Sequence, residues 1–323
     1  MKLQPVYSQI VTAADMLKST IRTSELISFL QQENAKAAAI TNSKLYGLLP
    51  FWRALKETSI HPVIGLTVRV EFSTEDIRPI VLYAQNITGY QNLLKITSST
   101  SLRENETLPL RWLEGYHRGC IALVPITNDL WQQEQPYGAV EKLIEIFEKE
   151  YLYIGIDRPN GIKYPTEENI ISYCKMNGLQ VCATHLSTFI KEEDAFTFEV
   201  AKAISTGAKM ADQEQLTSRE RKQFLPTGDN FYDWFEDHPE WLQTLEEMLM
   251  SCKMDIEYNH FYMPKFPVPD GKTAEGILRE NCLVGLQERV PDAGKEYYDR
   301  LSYELDIIIK MGYADYFLIV ADY

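Results

Sequence analysis

The chain has 323 residues, of which 45% are hydrophobic and 24% are charged, the composition of a chain that buries an ordinary core. At about 150 residues per domain, this length predicts two domains. The formal net charge is −14, and a duplex-binding surface needs clustered lysine and arginine, so we expect the chain alone to bind little nucleic acid. No run approaches the ~18 apolar residues of a membrane span, and the amino-terminal MKLQPVYSQ lacks the apolar core of a signal peptide. We therefore expect a cytoplasmic protein that makes no membrane contact.

The cysteines argue against a zinc cluster and against a disulfide framework. They are scattered along the chain, and no CxxC pair occurs. A free thiol behaves as a small apolar group and is commonly buried. We therefore expect reduced, buried thiols at all five positions, which are Cys120, Cys174, Cys182, Cys252 and Cys282.

The first part of the chain alternates short apolar strands with amphipathic helices. Ala139–Glu150 carries apolar residues on one helical face and charges on the other. A helix over Asn169–Met176 is followed by Asn177-Gly178, a left-handed cap, and the helix that opens at Lys191 ends near Gly207. This alternation predicts an α/β fold with a largely parallel sheet, open or closed into a barrel. The predicted strands are Val6–Val11, Ala35–Thr41, Val63–Phe72, Ile80–Ala84, Cys120–Ile126, Tyr151–Ile156 and Gln180–Thr184.

From about Ala211 the strand signals fade and helical patterns dominate. Phe231–Cys252 predicts one long helix, and Thr273–Val290 and Asp299–Met311 predict two more. Between them, Met263–Gly271 contains three prolines, which exclude a helix and favour an extended path.

These changes predict three parts: a barrel domain at 1–210, a helical and proline-marked connection at 211–270, and the start of a further domain at 271–323. The last residues form an apolar run, YFLIVADY. Domains seldom end inside such a run, so we expect the chain to continue past Tyr323.

Thr41–Val70 has the layout of a metal-dependent site without the ligands. A strand of small residues ends at Thr41, a loop and a helix follow, and a second strand begins at His61. In βα folds the chemistry lies where loops leave the carboxyl ends of strands. Asn42, Ser43 and Thr67 occupy those ends, and none of these side chains binds a catalytic metal well.

Five blocks in collinear order resemble one family, the PHP (polymerase and histidinol phosphatase) domain at the amino terminus of bacterial DNA polymerase III alpha subunits of the DnaE type. They are Thr41–Val70, Ile87–Ser98, Gly178–Gly207, Met263–Gly271 and Leu301–Tyr323. The resemblance implies an irregular PHP-type βα barrel, a helical connection, and the first helix and strand of a polymerase palm.

The sequence departs from the pattern of active PHP domains at their metal ligands. The family carries His-x-His after the first strand, Asp-His after the second, Glu at the end of the third and Asp-x-His near the seventh. A metal cluster needs several carboxylates and imidazoles, so the resemblance implies the fold and argues against a bound metal or a catalytic residue in this chain. The vestigial metal-site positions are Gln9, Val11, Asn42, Ser43, Thr67, Leu186 and Thr188.

Other candidate residues have competing interpretations. His185 is a possible remnant metal ligand, although a single histidine at a strand end is more often a hydrogen-bonded structural residue. Asp157 ends a strand where a catalytic acid could stand, but the turn signal that follows it favours an ordinary turn. Asp315 and Asp322 lie in the palm-like block, and the resemblance assigns neither a catalytic role.

For the parent protein, the resemblance implies DNA-directed DNA synthesis by nucleotidyl transfer, with Mg²⁺ held by carboxylates that follow Tyr323. The implied partners are primer–template DNA, dNTPs and replication proteins such as the sliding clamp. The PHP domain itself is then structural or partner-docking. The alternative is a metal-dependent phosphoesterase, a 3′–5′ proofreading nuclease or a pyrophosphatase, with a ligand set that the alignment does not identify.

Overall fold

A computed structural model describes residues 4–126, 137–210, 216–257 and 262–323. In these residues the strands form one sheet. All seven predicted strands are present, with shifts of a few residues at some ends, and two very short strands, β5 and β9, were not predicted. The strands are β1 Val6–Ile10, β2 Ala37–Ile40, β3 His61–Glu71, β4 Ile77–Ala84, β5 Thr107–Pro109, β6 Cys120–Ile126, β7 Leu152–Asp157, β8 Gln180–Thr184 and β9 Leu186–Ser187.

The sheet curls into a nearly closed barrel. Its strand order is β8-β7-β6-β4-β3-β2-β1-β9, and β5 pairs with β3. Strands β8 and β9 are consecutive pieces of one segment, separated only by His185. One piece pairs with β7 and the other with β1, so this segment brings together the two ends of the sheet.

The predicted parallel sheet is interrupted at one strand. β4 runs antiparallel to both of its neighbours, β3 and β6, whereas the remaining pairs are parallel. The link from β3 to β4 spans only residues 72–76. A link this short can reverse the chain but cannot cross over to start a parallel strand.

Helices from residues 1–255 pack on the sheet, and every residue of β1, β2, β6 and β7 is buried. Strands covered on both sides have this composition of nearly continuous apolar residues. The α-helices lie at Thr23–Gln32, Leu48–Lys56, Ile87–Ser101, Leu110–Tyr116, Gly138–Ile146, Glu167–Asn177, Ala195–Thr206, Gly228–Asp233, Pro239–Ser251, Ala274–Arg289, Lys295–Lys310 and Ala314–Asp322.

Two sequence predictions about the later elements are wrong. The single helix predicted over Phe231–Cys252 is broken between Asp233 and Pro239, because proline is favoured at the first position of a helix and cannot continue one. The palm strand that the resemblance implied is the helix Ala314–Asp322. Its buried residues Ala314 and Leu318 are four apart and therefore share one helical face.

The chain divides into two compact units, 1–255 and 256–323. The boundaries predicted from the sequence fall after residues 210 and 270. The helix Pro239–Ser251 belongs to the first unit because it packs against β1, β2 and β8. In the second unit, Phe266 of the extended proline segment packs on a small core of Ala274, Leu278, Leu305, Ala314 and Leu318. None of the described helices is both long and apolar enough to cross a bilayer.

Packing around Gly89 generates a stability prediction. A Cβ atom built on Gly89 would lie 1.9 Å from the carbonyl oxygen of Gly119, so the helix Ile87–Ser101 can approach this backbone only without a side chain. We expect Gly89→Ala to lower the free energy of unfolding by about 1–3 kcal/mol. Gly115 is the matched control because a Cβ there meets nothing within 4 Å. Gly115→Ala should stabilise its helix by about 0.5–1 kcal/mol. Urea denaturation followed by circular dichroism measures both, and equal midpoints would contradict the close approach.

Candidate functional site

A cavity of about 420 Å³ lies beyond the carboxyl ends of β1, β2 and β7 and beside the middle of β3. Parallel strands end together at one edge of a sheet, which brings distant parts of the chain to this position. Six of the seven vestigial metal-site positions line the cavity, and Asn42 is the exception. Other residues that line the cavity include Asp15, Lys18, Asp157, Phe198, Lys202, Ser205, Arg219, Glu220 and Gln223.

Ser43 joins the loop after β2 to the loop after β1. Its backbone N–H donates to Asp15 Oδ2 at 2.6 Å, and its hydroxyl donates to Asp15 Oδ1 at 3.1 Å. Lys18 Nζ in turn donates to the Ser43 hydroxyl at 2.6 Å. The position that the family alignment assigns to a metal ligand therefore connects two loops by direct hydrogen bonds.

Asn42 is buried and makes its hydrogen bonds away from the cavity. Its Oδ1 accepts from the backbone N–H of Thr12 at 2.8 Å, and its Nδ2 donates to the carbonyl of Tyr46 at 2.9 Å. Both partners belong to loops at the same end of the barrel. Asn42 thus fixes loop conformation, and its side chain is not available to a ligand in the cavity.

The other vestigial positions bond within the barrel or are apolar. Gln9 Nε2 donates to Thr184 Oγ1 at 2.5 Å, and Thr67 Oγ1 donates to the carbonyl of Thr41 at 2.7 Å. The Thr188 hydroxyl donates to Gln223 Oε1 at 3.2 Å. The two remaining positions, Val11 and Leu186, add apolar walls. None of these side chains therefore brings a carboxylate or an imidazole to the cavity.

Asp157 is buried at the end of β7 and forms two charged contacts. Its Oδ1 lies 2.9 Å from His185 Nδ1, and its Oδ2 accepts from Arg219 Nη2 at 2.7 Å. Burial alone would raise the pKa of Asp157, but the positive charge and hydrogen bonds of His185 and Arg219 hold it below its ordinary value. The turn that the sequence favoured does follow, at Pro159–Gly161. Sequence reasoning missed the role of Arg219, which lies 62 residues away.

His185 uses both ring nitrogens within the protein. Nδ1 faces Asp157, and Nε2 lies 3.0 Å from the carbonyl oxygen of Phe224. The ring packs against Trp234 in a T-shaped arrangement, with the ring centroids 5.1 Å apart. This arrangement leaves neither nitrogen for a metal and fits the structural interpretation of the residue better than the remnant-ligand one.

Within the described ranges, no group of three or more histidine, cysteine, aspartate or glutamate side chains is placed to hold a metal ion. The cysteines are free thiols: Cys120, Cys174, Cys182 and Cys252 are buried, as predicted, and Cys282 is half-buried. Burial raises the pKa of the Cys120 thiol to about 12, so the thiol is neutral at physiological pH.

Two protein-family models match separate parts of the chain. Residues 10–159 match the family model of the PHP domain, in agreement with the barrel and with the cavity at its strand ends. Residues 276–323 match a second family model, described as the bacterial DNA polymerase III alpha NTPase domain.

The chain is also similar to whole polymerase subunits. It is 33% identical to the DNA polymerase III subunit alpha of Bacillus subtilis over 98% of its own length, and 27% identical to that of Pseudomonas aeruginosa over the same share. A solved amidohydrolase from Chromobacterium violaceum aligns with a TM-score of 0.40 and 11% identity, over 57% of this chain and 87% of that one. The chain thus contains a match to the PHP domain and is similar to bacterial DNA polymerase III alpha subunits along nearly all of its length, and it spans 29% of the length of each of these two relatives.

The charged contacts of Asp157 generate a pH-dependent prediction. Asp157→Asn leaves Arg219 and His185 without their anionic partner. We expect the substitution to lower the free energy of unfolding by about 3–5 kcal/mol at pH 7. Because the pKa of Asp157 is lowered on folding, its carboxylate stabilises the native state above the ordinary value of 3.8, and that contribution is lost as the pH falls through the folded-state pKa.

The stability difference between the parent chain and Asp157→Asn should therefore shrink as the pH is lowered below about 4. Urea denaturation at a series of pH values measures it. Glu193→Gln, at an exposed position, serves as the charge-matched control and should change stability little at any pH. A difference that stays constant from pH 7 to pH 3 would contradict the ionic role.

Proposed function

We propose that this chain is the amino-terminal part of a replicative DNA polymerase and that its PHP domain works without a metal. The observation that carries the proposal is the collinear similarity to DNA polymerase III alpha subunits over 98% of the chain. The parent protein would then carry out template-directed nucleotidyl transfer on primer–template DNA with dNTPs. It would act in the cytoplasm together with other replication proteins, such as the sliding clamp.

The polymerase chemistry would need Mg²⁺ and the palm carboxylates that bind it, which we place after residue 323. The resemblance assigns that role to neither Asp315 nor Asp322. Asp315 Oδ1 accepts from the backbone N–H of Phe266 at 2.8 Å, and this bond holds the proline segment on the second unit. Asp322 is the last residue of its helix.

The PHP domain itself is best explained as a structural module that supports the polymerase and docks partners. Where active members of the family have ligands, this chain has residues that bond to loops and strands of its own barrel, as Asn42 and Ser43 do. Such residues stabilise the barrel but offer a metal no cluster of anionic ligands.

Metal analysis separates this function from the metallo-phosphoesterase alternative. We expect the purified chain to contain only substoichiometric Zn, Mn and Fe, to release no phosphate from phosphodiester or pyrophosphate substrates, and to incorporate no dNTP on a primed template. Stoichiometric, tightly held metal together with hydrolysis would favour the phosphoesterase. Template-dependent incorporation by these residues alone would contradict the placement of the palm carboxylates.

Substitutions in the full-length polymerase test the supporting role. Gly89 does not line the cavity, and Gly89→Ala weakens packing in the barrel domain, so it should lower the temperature at which DNA synthesis is lost by several degrees. Thr67→Val removes a polar group from the cavity wall and should leave the rate of synthesis within about twofold of the parent.

Primer extension after heating at a series of temperatures, with Gly115→Ala as the matched control, gives both readouts. Loss of synthesis in a stably folded Thr67→Val polymerase would show that the cavity has a chemical role and that support alone does not explain the domain.

A further inference from the structure

The cavity at the strand ends is large enough for a small organic ligand. Its volume of about 420 Å³ falls within the ~300–1,000 Å³ range of small-molecule sites. It is walled on several sides by apolar residues, among them Val11, Leu186 and Phe198, the first two at vestigial metal-site positions. Apolar side chains in these places give a ligand surface to pack on where a metal centre would present charge.

Each carboxylate that lines the cavity already bonds to the protein through both of its oxygens. Both oxygens of Asp157 are engaged by His185 and Arg219, and both oxygens of Asp15 are engaged by Ser43. Glu220 accepts from Lys202 Nζ at 2.5 Å and from the backbone N–H of Thr217 at 2.8 Å. Because Arg219, Lys18 and Lys202 lie within 4 Å of these acids, the negative charge at the cavity is paired.

The cations that line the cavity have donors to spare. An ammonium group carries three N–H donors. In the described part of the chain, Lys18 Nζ donates to Ser43, with Asp15 3.5 Å away, and Lys202 Nζ donates only to Glu220. Both side chains retain solvent contact, with exposed fractions of 51% and 30%, so they can turn toward a ligand. The remaining N–H donors of these two lysines can bind a ligand that brings hydrogen-bond acceptors.

We propose that this cavity binds a small amphipathic organic anion. The apolar body lies against Val11, Leu186 and Phe198, and the acid group, a carboxylate, sulfonate or phosphate, accepts from Lys18 and Lys202. The inference rests on the proposed function in one respect, namely that no metal occupies the cavity. The inference goes beyond that function because it assigns a class of ligand to the cavity.

A pair of dyes that differ by one acid group tests the ligand class. The anionic probe is 8-anilinonaphthalene-1-sulfonate, and the neutral probe is N-phenyl-1-naphthylamine, which has the same rings without the sulfonate. Both are titrated into the 323-residue chain in the presence of EDTA, so that the result does not depend on metal. We expect saturable binding of both dyes, tighter for the anionic one.

Two substitutions fill the cavity from different elements. Ser205→Trp changes an exposed position on the helix Ala195–Thr206, and Leu186→Phe enlarges a half-buried residue of β9. Each should lower the affinity for both dyes by about tenfold or more, because the larger side chain occupies the space that the rings need. Ser98→Trp, at an exposed helical serine outside the cavity lining, should leave both affinities unchanged.

Two further substitutions remove the proposed donors. Lys18→Met and Lys202→Met should each lower the affinity for the anionic dye about threefold. The affinity for the neutral dye should stay within about twofold of the parent value. Lys175→Met, an exposed lysine outside the cavity lining, is the charge-matched control. The thermal midpoint of each variant verifies that it is folded, and either filling variant suffices for the test.

Unchanged dye binding in a folded filling variant would place the dyes elsewhere and overturn the proposal. An equal loss of both dyes in the lysine variants would overturn the anionic class. Stoichiometric metal in the purified chain would contradict the metal-free function instead, because the dye titration in EDTA decides the cavity ligand separately.

Discussion

The barrel depends on one segment that pairs on both sides. Residues 180–187 bond to β7 through β8 and to β1 through β9, and the pairing partner changes at His185. The imidazole stabilises this junction because its two nitrogens contact Asp157 on β7 and the carbonyl of Phe224 in a later loop. Without this segment, β1 and β7 would be the two ends of an open sheet.

Contacts at the same segment help to explain how the buried carboxylate of Asp157 is tolerated. Removing Asp157 from water costs several kcal/mol unless opposite charge compensates it. In a metal-bearing barrel the ions supply positive charge at the strand ends. Here Arg219 supplies it from a loop that comes after the last strand, and His185 of the closing segment contacts the other carboxylate oxygen. Side-chain cations and hydrogen bonds thus stabilise this end of the barrel in the part of the chain that the structure describes.

The sequence predicted the features that local patterns encode. Continuous apolar runs identified strands such as Cys120–Ile126, and Gly178 capped its helix in the left-handed conformation, with φ of 65°. Prediction from the sequence failed where contacts between distant residues determine the structure. The two residues of β9 are a strand only because β1 lies beside them, and the partner of Asp157 comes from 62 residues further along. The alignment of family motifs nevertheless placed six of its seven positions around one cavity, because strand order fixes where strand ends meet.

The separation of fold from chemistry follows from where each is encoded. The barrel is held by backbone hydrogen bonds between strands and by apolar side chains in its layers, and neither depends on which side chain stands just past a strand end. Those end positions are therefore free to change, provided that their polar groups find new partners. Asn42, Ser43 and Thr67 do so by bonding to neighbouring loops and strands. Because valine, leucine and short hydroxyl side chains do not fill the volume between the strand ends, a cavity lies there and not a packed core. The cavity persists because the strand ends that surround it are fixed by the rest of the barrel.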